Sequence, residues 1–558
     1  MARQPQKSAI KRIAMDFEAT GTPTRNQQRV SLTDLYRAGL TPAQDTFVWK
    51  TVGLHLLVAV AVAVAVRLPY YRDGWRPLND GGMFALLLDQ LREHGLRWPT
   101  YIDYNHLHLP LGYPPLGFYL GVLATYLPMQ NTQLVMTWLP LLFNLATVVA
   151  AYFIAYEVFA DPFQRLMTAV VYAIIGWSSM WLTMGGGITR SPGEFFALTA
   201  IALFLRACNR QSWKITVFCG IFGGLTLLTH LECSVLLVVS LPVLALSFPR
   251  RWQNLYRMVA AGAVGTLVAL PWIFWVWTHL GFAPLVNAFH SGFDTAHYDF
   301  SVLLIVAAGV LFAWAAHFPY VLWLVTEFLL MRRNPNTHSV VIRAIILVWV
   351  ASVIVVLFSR VSRSLWWQRA VAAALAVAMA LPMLGTIQKK NDRLEDLATN
   401  VRAQLSPTEI AAMQAVPNYT APDARFIVLS QRTEYWFEDS ASEWFPYYSG
   451  RQCLNTAQGR EWLPNRDFAR AVKVSGSLMS LGVSPNFDDL IYYSKPDYLM
   501  IVYPLDENHQ AIAQIYRRLT RPIPLYKNYD AEVLAFDPEK LSAAATKYAA
   551  ATGGAIPK

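Results

Sequence analysis

Ten apolar runs, most of them near the length of a bilayer span, decide what this chain can fold into. A helix needs roughly 20 apolar residues to cross the hydrocarbon core, and the first such run is Phe47–Leu68. Others follow at 134–156, 166–185, 195–207, 215–231, 233–248, 258–278, 301–330, 340–358 and 368–387. The run 113–127 is apolar but short and opens on two prolines, which suits a re-entrant or interfacial segment. The run 301–330 is long for one helix, and Pro319 can kink or split it. The expected architecture is an α-helical polytopic membrane domain of 10 or 11 spans, followed by a soluble α/β domain.

Composition places the boundary between the two. Only 15% of the 558 residues are charged, against about 25% in ordinary soluble domains, and the mean hydropathy is +0.31. The deficit is local. Between Leu134 and Phe358 the acids are Glu157, Asp161, Glu194, Glu232, Asp294, Asp299 and Glu327 alone, whereas from Lys389 onward the chain reads as soluble protein. The expected division is a cytoplasmic tail 1–46, a membrane domain 47–388 with a long first outside loop 69–133, an α/β domain 389–545 and a disordered tail 546–558. Within the last domain, Arg425–Ser430 and Tyr498–Tyr503 read as buried strands, His509–Leu519 as a helix, and Pro524–Phe536 as a closing strand pair.

The net charge of +10 does not point to nucleic acid. The basic residues crowd the N-terminal tail and short loops, including Arg206, Arg210, Lys214, Arg250, Arg251 and Arg257, while loop 279–300 has no Lys or Arg. That is the positive-inside pattern, with the N-terminus in the cytoplasm. The polar stretch before the first run, and the Arg67-Leu68-Pro69 that ends it, do not make a cleavable signal, so the first helix is expected to remain as an anchor. Cys208, Cys219, Cys233 and Cys453 form neither a CxxC pair nor a disulfide framework.

The chemistry-bearing residues gather on one face of this topology. Asp80, Glu194, Glu232, Asp294 and Asp299 fall at the outer membrane edge with His106, His108, His230, His290 and His297. Carboxylates and imidazoles in such a place suit activation of a hydroxyl and steering of a leaving phosphate. Each has a plainer reading. Asp80 precedes Met83, Phe84, Leu87, Leu88 and Leu91, an amphipathic helix expected to lie on the membrane surface, and Asp is a good N-cap. Ser191-Pro192-Gly193-Glu194 reads as a capping box with proline at the first helical position. Glu232 can pair at a helix end, and Asp294, His297 and Asp299 lack metal-ligand spacing. The dense aromatics Tyr435-Trp436-Phe437 and Trp444-Phe445-Pro446-Tyr447-Tyr448, beside Glu434 and Glu443, suit a sugar ring, a domain core or contact with the membrane part.

Several of these pieces together resemble a family. They are Asn79-Asp80-Gly81-Gly82 after the first helix, Asn105-His106 through Gly112-Tyr113-Pro114-Pro115-Leu116, and the span Leu134–Phe159. Gly185-Gly186-Gly187, Thr189-Arg190-Ser191-Pro192-Gly193-Glu194 and Leu228-Thr229-His230 complete the set. In this the chain resembles the polytopic GT-C glycosyltransferases, such as protein O-mannosyltransferases, aminoarabinose transferases and the catalytic oligosaccharyltransferase subunit. The resemblance covers about the first 300 residues well and the next 90 loosely. The stretches Glu443-Trp444-Phe445-Pro446 and Gly459-Arg460-Glu461-Trp462 are similar to tails of bacterial members.

The resemblance implies an inverting transfer of a hexose or pentose from a polyprenyl-phosphate carrier to an acceptor hydroxyl at the outer face of the inner membrane. The acceptor would be a glycan, a lipid or a protein, with membrane lipid as the other partner and no nucleic acid. Asp80 aligns with the catalytic base, Glu194 looks like the second acid some members carry, and Arg190 is then a candidate to meet the leaving phosphate. His106, Tyr113, His230 and Glu232 are the further candidates for substrate binding. Some members use a divalent metal and others do not. The same resemblance puts the C-terminal domain outside. Two other classes remain open on sequence: a lipid or small-molecule transporter, against which the nearly charge-free spans argue, and a non-catalytic scaffold.

Overall fold

The computed structural model describes residues 48–293 with short breaks at 69–70, 72–74, 129–130, 160, 176–181 and 248–249. It further describes isolated positions between 341 and 351, then 365–389, 402–430, 439–464, 467–479 and 495–552. The tail 1–46, Asp294, His297, Asp299, the run 301–330 and most of 340–358 lie outside the described residues.

The membrane part comprises α1 (Trp49–Arg67), β1 (Trp75–Pro77), α2 (Gly81–Glu93), the pair β2 (Tyr101–Ile102) and β3 (Leu109–Pro110), and α3 (Leu116–Thr125). It continues with α4 (Thr132–Val158), α5 (Pro162–Ile174), α6 (Gly187–Arg210), α7 (Trp213–Leu227), α8 (Leu231–Ser247), α9 (Arg251–His279), α10 (Ala283–Phe293) and α11 (Leu365–Lys389). Among the described residues, α1, α4, α6 and α9 are long and apolar enough to cross a membrane, with α3, α7 and α8 apolar but shorter. At about 1.5 Å per residue, the ten residues of α3 reach only half the bilayer core. The turns are written locally: Asn131 accepts the Leu134 N–H at 2.9 Å to start α4, and Asp161 accepts the Phe163 N–H at 3.1 Å to start α5.

Helix ends sort into two faces. On one, the Leu116 N–H bonds the Leu228 carbonyl at 2.8 Å and the Gly186 N–H bonds the Asn79 carbonyl at 3.1 Å. These gather the start of α3, the end of α7 and the start of α6 beside Asp80. On the opposite face lie the tight connections from α4 to α5, α6 to α7 and α8 to α9. Arg369 pairs with Asp161 at 3.1 Å and puts the start of α11 there too.

The C-terminal part returns to the Asp80 face. Its first strand, β4 (Arg402–Gln404), pairs antiparallel with β1. Then come α12 (Pro407–Ala415), β5 (Arg425–Leu429), α13 (Ser440–Ser449), β6 (Gln452–Cys453), α14 (Asp467–Met479), β7 (Tyr498–Val502), α15 (Glu507–Arg518), β8 (Tyr526–Lys527), β9 (Ala531–Ala535) and α16 (Pro538–Thr552). The sheet order is β6-β5-β7-β9-β8, with β5 parallel to β6 and β7 and β9 antiparallel to both its neighbours. The expected strands and helix fall within a few residues of these. The alanine-rich end forms α16, which runs to Thr552.

One expectation changes here. The apolar face of α2 does not rest on lipid. Phe84, Leu87, Leu88 and Leu91 share a core with Phe118 of α3 and with Met413, Trp444 and Phe445 of the C-terminal part. Burial of side chains this size is worth about 1.5–3 kcal/mol each, so α2 is the joint between the two parts.

Candidate active site

Asn79 and Asp80 are both in the left-handed conformation, φ 57° and 77°, a region that Asn, Asp and Gly tolerate better than other residues. The turn is held from below by the apolar run before α6. Gly185 donates to the Leu78 carbonyl at 2.5 Å, and a Cβ on Gly185 would stand 2.1 Å from the Gly81 nitrogen. Only glycine allows the two backbones this approach.

Asp80 occupies the N-cap position of α2, yet its side chain makes no cap bond. Glu443 of α13 does that work: its carboxylate accepts the Asn79 N–H at 2.8 Å and the Gly82 N–H at 3.4 Å. Trp444 fixes the approach by donating its indole N–H to the Pro77 carbonyl at 3.1 Å. The Asp80 carboxylate turns instead into the space between the two parts, where it accepts the Gln458 amide and lies under the charge of Arg190.

Of the other sequence candidates, Arg190 and Tyr113 lie within reach of its charge, and Glu232 and His230 are gathered around Arg190. Arg190 of α6 pairs with Glu232 at 3.1 Å. His230 packs on Gly193 and its Nδ1 accepts the Cys233 N–H at 3.4 Å, which starts α8. Tyr113 feels the charges of Asp80 and Glu461, with its ring 4.5 Å from that of Trp462 and its carbonyl accepting the Trp272 indole at 3.1 Å.

Two candidates lie elsewhere. Glu194 does not complete a capping box, because α6 begins at Gly187 and the Ser191 hydroxyl bonds the Leu182 carbonyl at 2.7 Å. Glu194 is buried inside the bundle, where the Cys233 thiol donates to its Oε2 at 3.7 Å. His106 is exposed, its Nε2 on the Gly450 carbonyl at 3.1 Å, and belongs to the docking contact. The residues that spacing did not flag for the site are Gln458 and Glu461, which only the fold brings to Asp80.

Burial dominates the electrostatics. It raises Asp80 to about 7, with Arg190 opposing. Glu461 and Glu443 go to about 8, burial again first and the Asp80 charge second. Tyr113 is pushed up for the same reasons. A carboxylate poised near neutrality, with a guanidinium beside it, is suited to taking a proton from a hydroxyl while an anion departs. A divalent metal fits less well. One Asp80 oxygen is occupied by the Gln458 amide, the Glu443 oxygens by backbone N–H groups, and among the described residues no three His, Cys, Asp or Glu side chains converge as ligands.

No protein-family model and no curated protein sequence matches the chain. Solved structures do. The apo crystal structure of the oligosaccharyltransferase from Archaeoglobus fulgidus aligns at TM-score 0.50 and 12% identity, over 81% of this chain and 69% of that one. ArnT from Cupriavidus metallidurans bound to undecaprenyl phosphate aligns at 0.47 and 14%, over 87% and 98% respectively. The arabinofuranosyltransferase AftD from Mycobacteria aligns at 0.47 and 12%, over 89% and 40%. The chain has the fold of the GT-C membrane glycosyltransferases. At these identities the likeness defines the fold, and the chemistry rests on the site.

Proposed function

We propose that the protein is an inverting glycosyltransferase that moves a sugar from a polyprenyl-phosphate carrier to an acceptor hydroxyl. Asp80 is the base. The acceptor oxygen attacks the anomeric carbon as its proton passes to the Asp80 carboxylate, and the bond from that carbon to the phosphate oxygen breaks on the opposite side. Polyprenyl phosphate leaves with the electron pair. Arg190, drawn from its Glu232 partner toward the phosphate, offsets the charge that develops there. Tyr113 and His230 border the donor, and Glu232 holds Arg190 in register.

The observation that carries this reading is the release of Asp80 from the capping role by Glu443, in a protein whose fold is that of membrane enzymes with lipid-linked donors. A carboxylate heading a helix, uncoupled from its backbone and raised to about 7, is arranged as a base and not as a cap. The basic ends of α6, α7 and α9 lie on the face away from Asp80. By the positive-inside rule that face is cytoplasmic and the site is outside. Turnover of the Asp80→Asn variant with polyprenyl-phosphate sugar donors tests the proposal.

A further inference from the structure

The C-terminal part reaches the centre through one short path. Asn455 pins it to the sheet, accepting the Val428 N–H and donating to the Val428 carbonyl, each at 2.9 Å. Asn105 of the first loop grips the same path from the other side, exchanging bonds with the Cys453 backbone at 2.6 and 2.9 Å. Gly459 then passes between Leu109 and Met83 at φ 81°, where a Cβ would lie 2.3 Å from the Leu109 Cδ1. The turn Arg460–Trp462 is clamped by Arg460 on Asp467 at 2.6 Å and by Trp462 on Tyr113. Glu461 is left half-buried and facing Asp80, while the buried Gln458 keeps its Oε1 without a hydrogen-bond partner among the described residues.

We propose that Glu461 and Gln458 form the acceptor subsite, holding a hydroxyl adjacent to the one Asp80 deprotonates, so that the acceptor is a sugar ring and not a lone side-chain hydroxyl. This rests on the glycosyltransferase reading above. A hydroxyl both accepts and donates, and the two side chains complement it: the Glu461 acid donates and the Gln458 carbonyl oxygen accepts. With Asp80 ionised beside it, Glu461 remains the protonated acid up to about 8. The groups facing it are Asp80, Tyr113 and the Trp462 indole, with Arg190 and Glu443 beyond Asp80, while the Arg460–Asp467 pair closes the turn and α10 packs on it.

The test uses the full-length protein with a polyprenyl-phosphate sugar donor and two acceptor probes, a methyl hexopyranoside and a serine peptide. The glycoside is expected to be used and the peptide not. Glu461→Ala should raise the glycoside KM about tenfold or more, the loss of one hydrogen bond to a buried site, with little change in kcat. Glu461→Gln keeps a donor, so at pH 7 it should recover most of the KM lost in Glu461→Ala, and it should lose the fall in rate above about pH 8. A structural role alone would not move that limb. Preference for the peptide, an unchanged KM in Glu461→Ala, or an alkaline limb that survives in Glu461→Gln rejects the subsite while leaving Asp80 as base. Undiminished turnover in Asp80→Asn rejects the enzymatic reading and the subsite with it.

Discussion

Glu443 caps the helix that Asp80 heads, from 364 residues beyond Asn79, whose N–H its carboxylate accepts at 2.8 Å. The cap and the candidate base are thus separate residues on separate parts of the chain. Glu443→Ala leaves the Asn79 and Gly82 N–H groups without their acceptor, which costs about 1–3 kcal/mol. It also lets Asp80 swing back onto the helix end. A lower melting temperature in detergent and a loss of turnover are expected together, with Glu443→Gln milder in both.

The pH dependence follows from three raised carboxyls. Asp80 acts as base only when ionised, so turnover should rise with pH through about 7, and it should fall again above about 8 as Glu461 loses its proton. Stability only falls. Asp80, Glu443 and Glu461 bind protons more tightly in the native state than unfolded, so the native state holds extra protons between about pH 4 and 8 and loses stability as pH rises across that window. Melting in detergent should be higher at pH 5 than at pH 8, and Asp80→Asn should flatten part of that slope.

Gly185 sets the position of Asp80. A methyl group at 185 meets backbone, the Gly81 nitrogen, and not a side chain that can turn away. Gly185→Ala should push the Asp80 turn off by enough to cost on the order of 100-fold in turnover, while the protein still inserts and melts as a folded unit.

Much of this fold was legible because the bilayer enforces its own period: long apolar runs such as Thr132–Val158 have few other readings. The amphipathic α2 was legible as well, but its cover was not, since Trp444 and Phe445 meet it across more than 350 residues of chain. The same distance hid Gln458 and Glu461. The Ser191–Glu194 capping pattern misled for a different reason. Tertiary support from the Asn79 and Leu182 carbonyls starts α6 at Gly187, and local spacing does not encode it. Asp80 stands at the N-cap position that its place before Met83 and Phe84 suggests, without a side-chain cap bond. What sequence left open, whether the side chain is used there, is decided by a glutamate in another part of the chain.

Orientation is open to a direct check. Single cysteines at Gln253, on the face away from Asp80, and at Ser291, on α10 beside the turn Arg460–Trp462, are expected to be labelled from the cytoplasm and from outside respectively. Labelling on the reverse sides would place the Asp80 face in the cytoplasm and contradict the outward site.

The central claim is that Asp80 takes the acceptor proton. Asparagine at 80 keeps the size of the side chain, and no cap bond is lost because Glu443 makes them. What disappears is the basic oxygen, and general-base catalysis is typically worth 10²–10⁴-fold in rate. The measurement is turnover of Asp80→Asn with a polyprenyl-phosphate sugar donor, beside its melting temperature and its binding of that donor. The account predicts at least a 100-fold loss of turnover with folding and donor binding kept. Near-normal turnover would contradict it, removing Asp80 as the base and leaving a GT-C fold without an assigned chemistry.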